Sequence, residues 1–150
     1  MSGKTDKFEY DFMRLEFNGV PITNVCASGG TTSRWVGLMT ADPTDAGSTA
    51  AEGGYTEYTR IKTDRSSAAS TGWAVSSGTG AANASVAPVT PLNFPKSLST
   101  TTGTFSHFMT FPSSDAQASS GLYVGTLSPN INFGQNVTPQ VTTGSSITED

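Results

Sequence analysis

Arg34-Trp35-Val36-Gly37-Leu38-Met39-Thr40, followed by Ala41-Asp42-Pro43-Thr44-Asp45-Ala46-Gly47, is the stretch that decides the fold. The first seven residues are the most apolar run in the chain, too short for a core helix and of the right length for a buried strand. The next seven place Pro and Gly where a tight turn needs them, so the strand ends abruptly. A soft loop through Gly54 follows.

Working outward, the same alternation of apolar run and turn recurs. Residues 55–63 (Tyr-Thr-Glu-Tyr-Thr-Arg-Ile-Lys-Thr) are β-branched and aromatic and predict a strand. Trp73-Ala74-Val75 predicts a short one. Residues 85–94 carry Val86, Val89, Leu92 and Phe94, but Pro88, Pro91 and Pro95 interrupt them. Proline has no N–H for a ladder, so this segment is expected at an edge or draped over the surface. Residues 103–111, with Phe105, Phe108, Met109 and Phe111, read as central, and residues 121–128 as another strand. Residues 129–138 hold Ile131 and Phe133 between turn residues, and the tail from Val137 to Ile147 alternates weakly. Short strands spaced by turn chemistry predict a mainly β chain, a single-domain β-sandwich or jelly-roll-like fold, rather than a βαβ fold.

Residues 6–17 admit a helix or a bulged strand. In the helix reading, which is preferred, Asp6 is the N-cap with Glu9 three residues on, Phe8, Phe12 and Leu15 share a face, and Asn18-Gly19 closes the end. Residues 1–33 are accordingly expected to form an N-terminal arm, helix and loop, and residues 34–150 the β-sandwich domain.

Composition agrees. The 150 residues include 16 Gly, 20 Ser and 23 Thr, while only 13% are Asp, Glu, Lys or Arg. Long solvated helices are excluded by that poverty of charge. Disorder driven by charge is excluded by 14 aromatic residues and a net charge of −4. The isoelectric point near 4.8 argues against attraction to nucleic acid. All eight basic residues lie at or before Lys96, and the last 54 residues carry only Asp115, Glu149 and Asp150 as charges. A large, nearly uncharged β surface suggests contact with another protein or with copies of itself.

Catalytic and metal chemistry find little purchase. Cys26 is the single cysteine and His107 the single histidine, too few for a zinc site. No intrachain disulfide can form, which fits assembly in a reducing cytoplasm. Ser106 and His107 adjoin, and strict strand alternation would put them on opposite faces, unsuited to a nucleophile–base pair. Asp42 and Asp45 read as turn caps rather than calcium ligands, since no alternating carboxylate run surrounds them. Gly29-Gly30-Thr31-Thr32 lacks the lysine of a phosphate loop. Tyr55, Tyr58, Arg60 and Lys62 form the one aromatic and basic interleaving suited to single strands, and read as an ordinary half-exposed strand. Asn83-Ala84-Ser85 matches a glycosylation sequon by chance. The N-terminus shows no apolar stretch of signal-peptide length, and no run is long enough for a membrane span. The expectation is a chain without enzymatic activity, cofactor or metal.

Two stretches carry a family resemblance. Trp35-Val36-Gly37-Leu38-Met39-Thr40-Ala41-Asp42-Pro43-Thr44-Asp45-Ala46-Gly47-Ser48, and then Gly53-Gly54-Tyr55 through Arg60, resemble a family of small tailed-bacteriophage virion proteins. In the C-terminal half, Leu92-Asn93-Phe94-Pro95, Thr104-Phe105-Ser106-His107-Phe108-Met109 and Leu122-Tyr123-Val124-Gly125-Thr126-Leu127 are similar to that family's strands. The resemblance covers residues 34–150. Met109 replaces the expected Gly-Ile, and the Ser/Ala loop at 113–120 is longer. Such proteins are often labelled tail-fibre proteins, and similar domains decorate capsids. The resemblance implies a virion structural protein and leaves its place on the particle open. The expectation is a homotrimeric cement or decoration protein on the outer capsid surface that binds the major capsid protein, since a compact β domain with reaching arms suits capsomer seams. The chain shows neither fibrous repeats nor heptads, which favours the capsid over a tail fibre. The alternative is a tail-fibre or tail-tip module that binds the host surface, for which Trp73 and Tyr55 would need to stand exposed on loop tips. Segments 1–20, 85–95 and 137–150 are the expected contact arms.

Overall fold

The computed structural model describes residues 6–21, 33–43, 48–76, 85–111, 113–114 and 121–148, with side chains outside the description at 6–9 and 148. Cys26, Gly29, Gly30, Asp45 and Asn83 lie outside the described residues. Among the described residues the chain is mainly β, with one helix and antiparallel sheets, as its strand-and-turn pattern predicts. The elements run α1 (Asp6–Asn18), β1 (Ser33–Met39), β2 (Ile61–Asp64), β3 (Trp73–Ser76), β4 (Ser85–Pro88), β5 (Leu92–Asn93), β6 (Gly103–Phe111), β7 (Tyr123–Phe133), β8 (Gln140–Val141) and β9 (Ile147–Thr148).

These elements group into two compact units, each threaded from separate stretches of chain. The first comprises Met1–Ser33, Thr63–Thr90 and Thr142–Asp150, and the second Arg34–Lys62 and Pro91–Val141.

In the first unit, α1 packs on β3 and β4, so the helical part of residues 1–20 is built into a core rather than extended as an arm. Its buried side chains are Met13 and Phe17, spaced i,i+4, while Phe12 and Leu15 are only half-buried. The expected Phe8–Phe12–Leu15 face is therefore rotated by about one residue position. Phe17 meets Trp73 edge-on at 5.1 Å, and Trp73 Nε1 donates to the buried Thr63 Oγ1 at 3.0 Å. Arg65 caps the helix C-terminus, donating to the carbonyls of Leu15 and Glu16 with its charge at the negative end of the dipole. The small sheet has the order β3-β4-β9. β4 is thus a central strand, with Val86 between Val75 and Ile147, and not the edge that its prolines predicted. The reason is local: Pro88 occupies the last strand position and Pro91 and Pro95 lie beyond it, so none interrupts the doubly bonded part.

In the second unit, β1, β6 and β7 form the body of a sheet of order β2-β1-β6-β7, whose β2 starts at Ile61. Trp35 pairs with Phe111, Gly37 with Met109 and Met39 with His107. Met39, Met109 and Phe111 are fully buried, with Trp35 packed against them. The turn after β1 closes on itself: Thr40 N donates to Ala51 O at 2.9 Å and Gly53 N to Leu38 O at 3.0 Å. It returns the chain so that Glu52 bridges back to Met39.

Tyr55–Arg60, expected as strand, forms a turn in which Tyr58 N donates to Tyr55 O at 3.2 Å. The turn lets two residues three apart meet one aromatic cluster, which strand alternation forbids. Tyr58 stacks on Phe94 at 5.9 Å and 11°, Tyr55 lies 5.7 Å from Phe133, and Phe105 lies 4.7 Å from Phe133. Phe133 fits because Gly54 and Gly103 lack Cβ atoms, which would each sit 2.5 Å from its ring. Across this cluster runs the ribbon of β5 and β8, in which Leu92 pairs with Val141 and Asn93 with Gln140. It is prolonged by Phe94 N to Pro139 O and Ser97 N to Val137 O, each 2.9 Å. Sheet, aromatic layer and ribbon give this unit a sandwich-like core.

Candidate partner-binding surface

β7 is the outermost strand of its sheet among the described residues. The sequence predicts a strand over 121–128 and turn residues around Ile131 and Phe133, yet the strand continues from Tyr123 to Phe133, through a cis Ser128–Pro129 bond. Neither β7 nor its neighbour β6 contains an Asp, Glu, Lys or Arg. Proteins that stay apart usually guard such an edge with charge. Val124 pairs with the buried Met109 and therefore points to the same face as the Met39–Met109–Phe111 cluster. Yet it remains 36% exposed, and Leu122, two residues before it, is 48% exposed. The apolar core of the second unit thus continues outward into an exposed, uncharged rim. A second apolar pair, Leu98 and Val137, is also exposed, at either side of the Ser97–Val137 backbone bond.

The candidate catalytic residues resolve differently from the expectation. Ser106 alone on β6 stands opposite Leu127–Asn130 on β7, so the ladder is broken there. With alternation relaxed, Ser106 Oγ lies 2.9 Å from His107 Nδ1, and the two side chains meet rather than oppose. Strict strand alternation, which would set Ser106 and His107 on opposite faces, does not hold at this position. A hydrolytic triad would also need a carboxylate on the other imidazole nitrogen, and no such bond to His107 occurs among the described residues. Among those residues no three His, Cys, Asp or Glu side chains gather as a metal site, and no helix is long and apolar enough to cross a membrane. Asp42 is exposed in the turn after β1.

The aromatic candidates for a host-surface contact are inside. Trp73 is 3% exposed, and the half-buried Tyr55 donates its hydroxyl to Pro95 O at 2.7 Å. Burial, and then the Glu57 carboxylate, push the Tyr55 phenol up to about 12. Arg60, expected on a half-exposed strand, is instead buried. It forms a two-pronged ion pair with Glu52, Nε to Oε1 and Nη2 to Oε2 both at 2.7 Å. Arg60 Nη1 donates to Ser113 O at 3.0 Å, and the guanidinium lies 3.3 Å above the Phe111 ring. Tyr58 Oη accepts from Leu38 N at 2.7 Å and donates to Glu52 Oε1 at 3.3 Å. Burial, reinforced by Glu52, drives that phenol far above its ordinary range. This knot braces the sheet from which β7 projects. Nothing in the sequence pointed to it, because Glu52 and Arg60 lie eight residues apart around an irregular turn and Ser113 is 53 residues beyond Arg60.

Compared with protein-family models and with curated proteins, the chain matches none.

Proposed function

We propose that this chain is a non-enzymatic virion structural protein, a decoration or cement protein that binds the major capsid protein on the outer surface of a tailed bacteriophage, and that it acts as a homotrimer. The observation that carries the reading is the uncharged β6–β7 pair, with Leu122 and Val124 exposed at its rim. A rim of this kind loses little by desolvation when a neighbour covers it, because it has no charge to strip of water. Many symmetry-related copies make modest affinity per contact sufficient. The resemblance of residues 34–150 to phage virion proteins points the same way. The tail-fibre alternative loses its aromatic candidates, since Trp73 is buried and Tyr55 is tied to Pro95.

The test is co-sedimentation of the purified protein with expanded capsids lacking it, with hydrogen exchange of the bound form. Binding with greater protection of residues 97–150 than of residues 50–80 is the expected result. No binding, with capsid stability unchanged, overturns the proposal. Binding of the isolated protein to host cells but not to capsids transfers the function to the tail.

A further inference from the structure

The geometry points to Asn18–Gly19 as a covalent modification site, a deamidating peptide bond whose reaction is gated by opening of the α1 C-terminus. An Asn followed by Gly is the pair most prone to this chemistry, because glycine has no side chain to hinder approach of its amide nitrogen. The Gly19 nitrogen loses its proton to solvent base and attacks Asn18 Cγ. The new N–Cγ bond forms, the Cγ–Nδ2 bond breaks and ammonia leaves. Water then opens the cyclic imide to aspartate or isoaspartate. Water is the sole co-reactant, and nothing is oxidised or reduced.

In the folded chain both reacting groups are engaged. Gly19, at φ +67°, is the left-handed residue that ends the helix, and its N–H donates to Leu15 O at 3.1 Å. Val20 N donates to Arg14 O at 3.1 Å and holds the next peptide. Asn18 Nδ2 donates to Trp73 O at 3.0 Å and to Phe17 O at 3.2 Å, in the amide orientation that sets donors against acceptors. Arg65 secures the same turn by bonding the Leu15 and Glu16 carbonyls. Attack therefore requires the cap to release Gly19 N and the Asn18 amide together. The product has the opposite effect on the cap. A carboxylate at position 18 cannot donate to the Trp73 and Phe17 carbonyls, and it adds negative charge at the negative end of the helix dipole. One conversion thus favours the open state.

The experiment follows conversion at Asn18 by peptide mapping in mildly alkaline buffer, for the native protein and for the protein unfolded in urea, alongside hydrogen exchange of the Gly19 amide. Native conversion is expected to be at least about tenfold slower than unfolded. The slowing should match the protection of the Gly19 amide, since one opening exposes both. Arg65→Gln, checked for retained secondary structure, should raise the native rate several-fold. Equal rates in native and unfolded protein overturn the proposal. So does a Gly19 amide that exchanges freely while Asn18 stays slow, a result that stands even if the Arg65 variant fails to fold.

Discussion

Replacing Glu52 by Gln removes the carboxylate that forms the two-pronged pair with Arg60. The two side chains are 5% and 1% exposed, and both prongs of the pair are 2.7 Å long. Removing one partner of a buried pair costs about 3–5 kcal/mol, because the survivor keeps its charge without water. Gln retains one oxygen acceptor, and Phe111 and Ser113 O still face the guanidinium, so the lower end, about 3 kcal/mol, applies. For a chain of this length that lowers Tm by about 6–12 °C. Urea unfolding followed by circular dichroism, with the Glu52→Leu and Arg60→Met single variants and the Glu52→Leu/Arg60→Met double variant, measures it and closes the cycle. The double variant should recover most of the loss, since an apolar pair of similar volume leaves no charge stranded. If Glu52→Gln costs under about 1 kcal/mol, the pair behaves as a solvated surface bridge and the burial reasoning is wrong. Additive single-variant losses, with no recovery in the double variant, would refute the coupling.

Other consequences are open to measurement. Gly37→Ala should cost about 1–3 kcal/mol in thermal or urea unfolding, because its Cβ would sit 2.7 Å from Glu52 Oε1 and 2.8 Å from the Phe111 ring. Thr63→Val should cost about 1–3 kcal/mol by leaving Trp73 Nε1–H buried without its acceptor, with a change in tryptophan fluorescence. Both Tyr55 and Tyr58 have phenols raised above the ordinary value of 10, so the folded state holds protons that the unfolded state gives up. Stability from this source is full below about pH 10 and is lost as pH rises toward and through 12, with phenolate absorbance appearing late for these two residues. Leu122→Lys with Val124→Lys should abolish binding to capsids while leaving Tm nearly unchanged, since both side chains are exposed.

What could be read from the sequence was what depends on neighbours in the chain. β1 and β6 announce themselves by apolar runs with β-branched or aromatic residues, and α1 by its capping residues and the Asn18-Gly19 stop. What failed depends on partners far along the chain. Prolines at 88, 91 and 95 suggested an edge, but the ladder of β4 needs only the residues before them. Tyr55 and Tyr58 looked like strand residues until the Phe94, Phe105 and Phe133 rings required both on one side. The Ser106–His107 contact arises from a broken register with a strand 20 residues away, which no local pattern encodes. The exposed rim was half visible: the missing charge after Lys96 can be read directly, whereas the outward position of Leu122 and Val124 cannot.

The threading of the two units has a consequence during synthesis. The first unit begins with α1 but is finished by β9, whose Ile147 pairs with Val86 of its central strand. The second unit closes earlier, when Val141 reaches Leu92. The second unit can therefore close once the chain reaches Val141, while the first still lacks β9, the strand that pairs with the central β4. Released chains truncated before Ile147 should hold a protease-resistant second unit and a first unit that is cleaved more readily for want of β9.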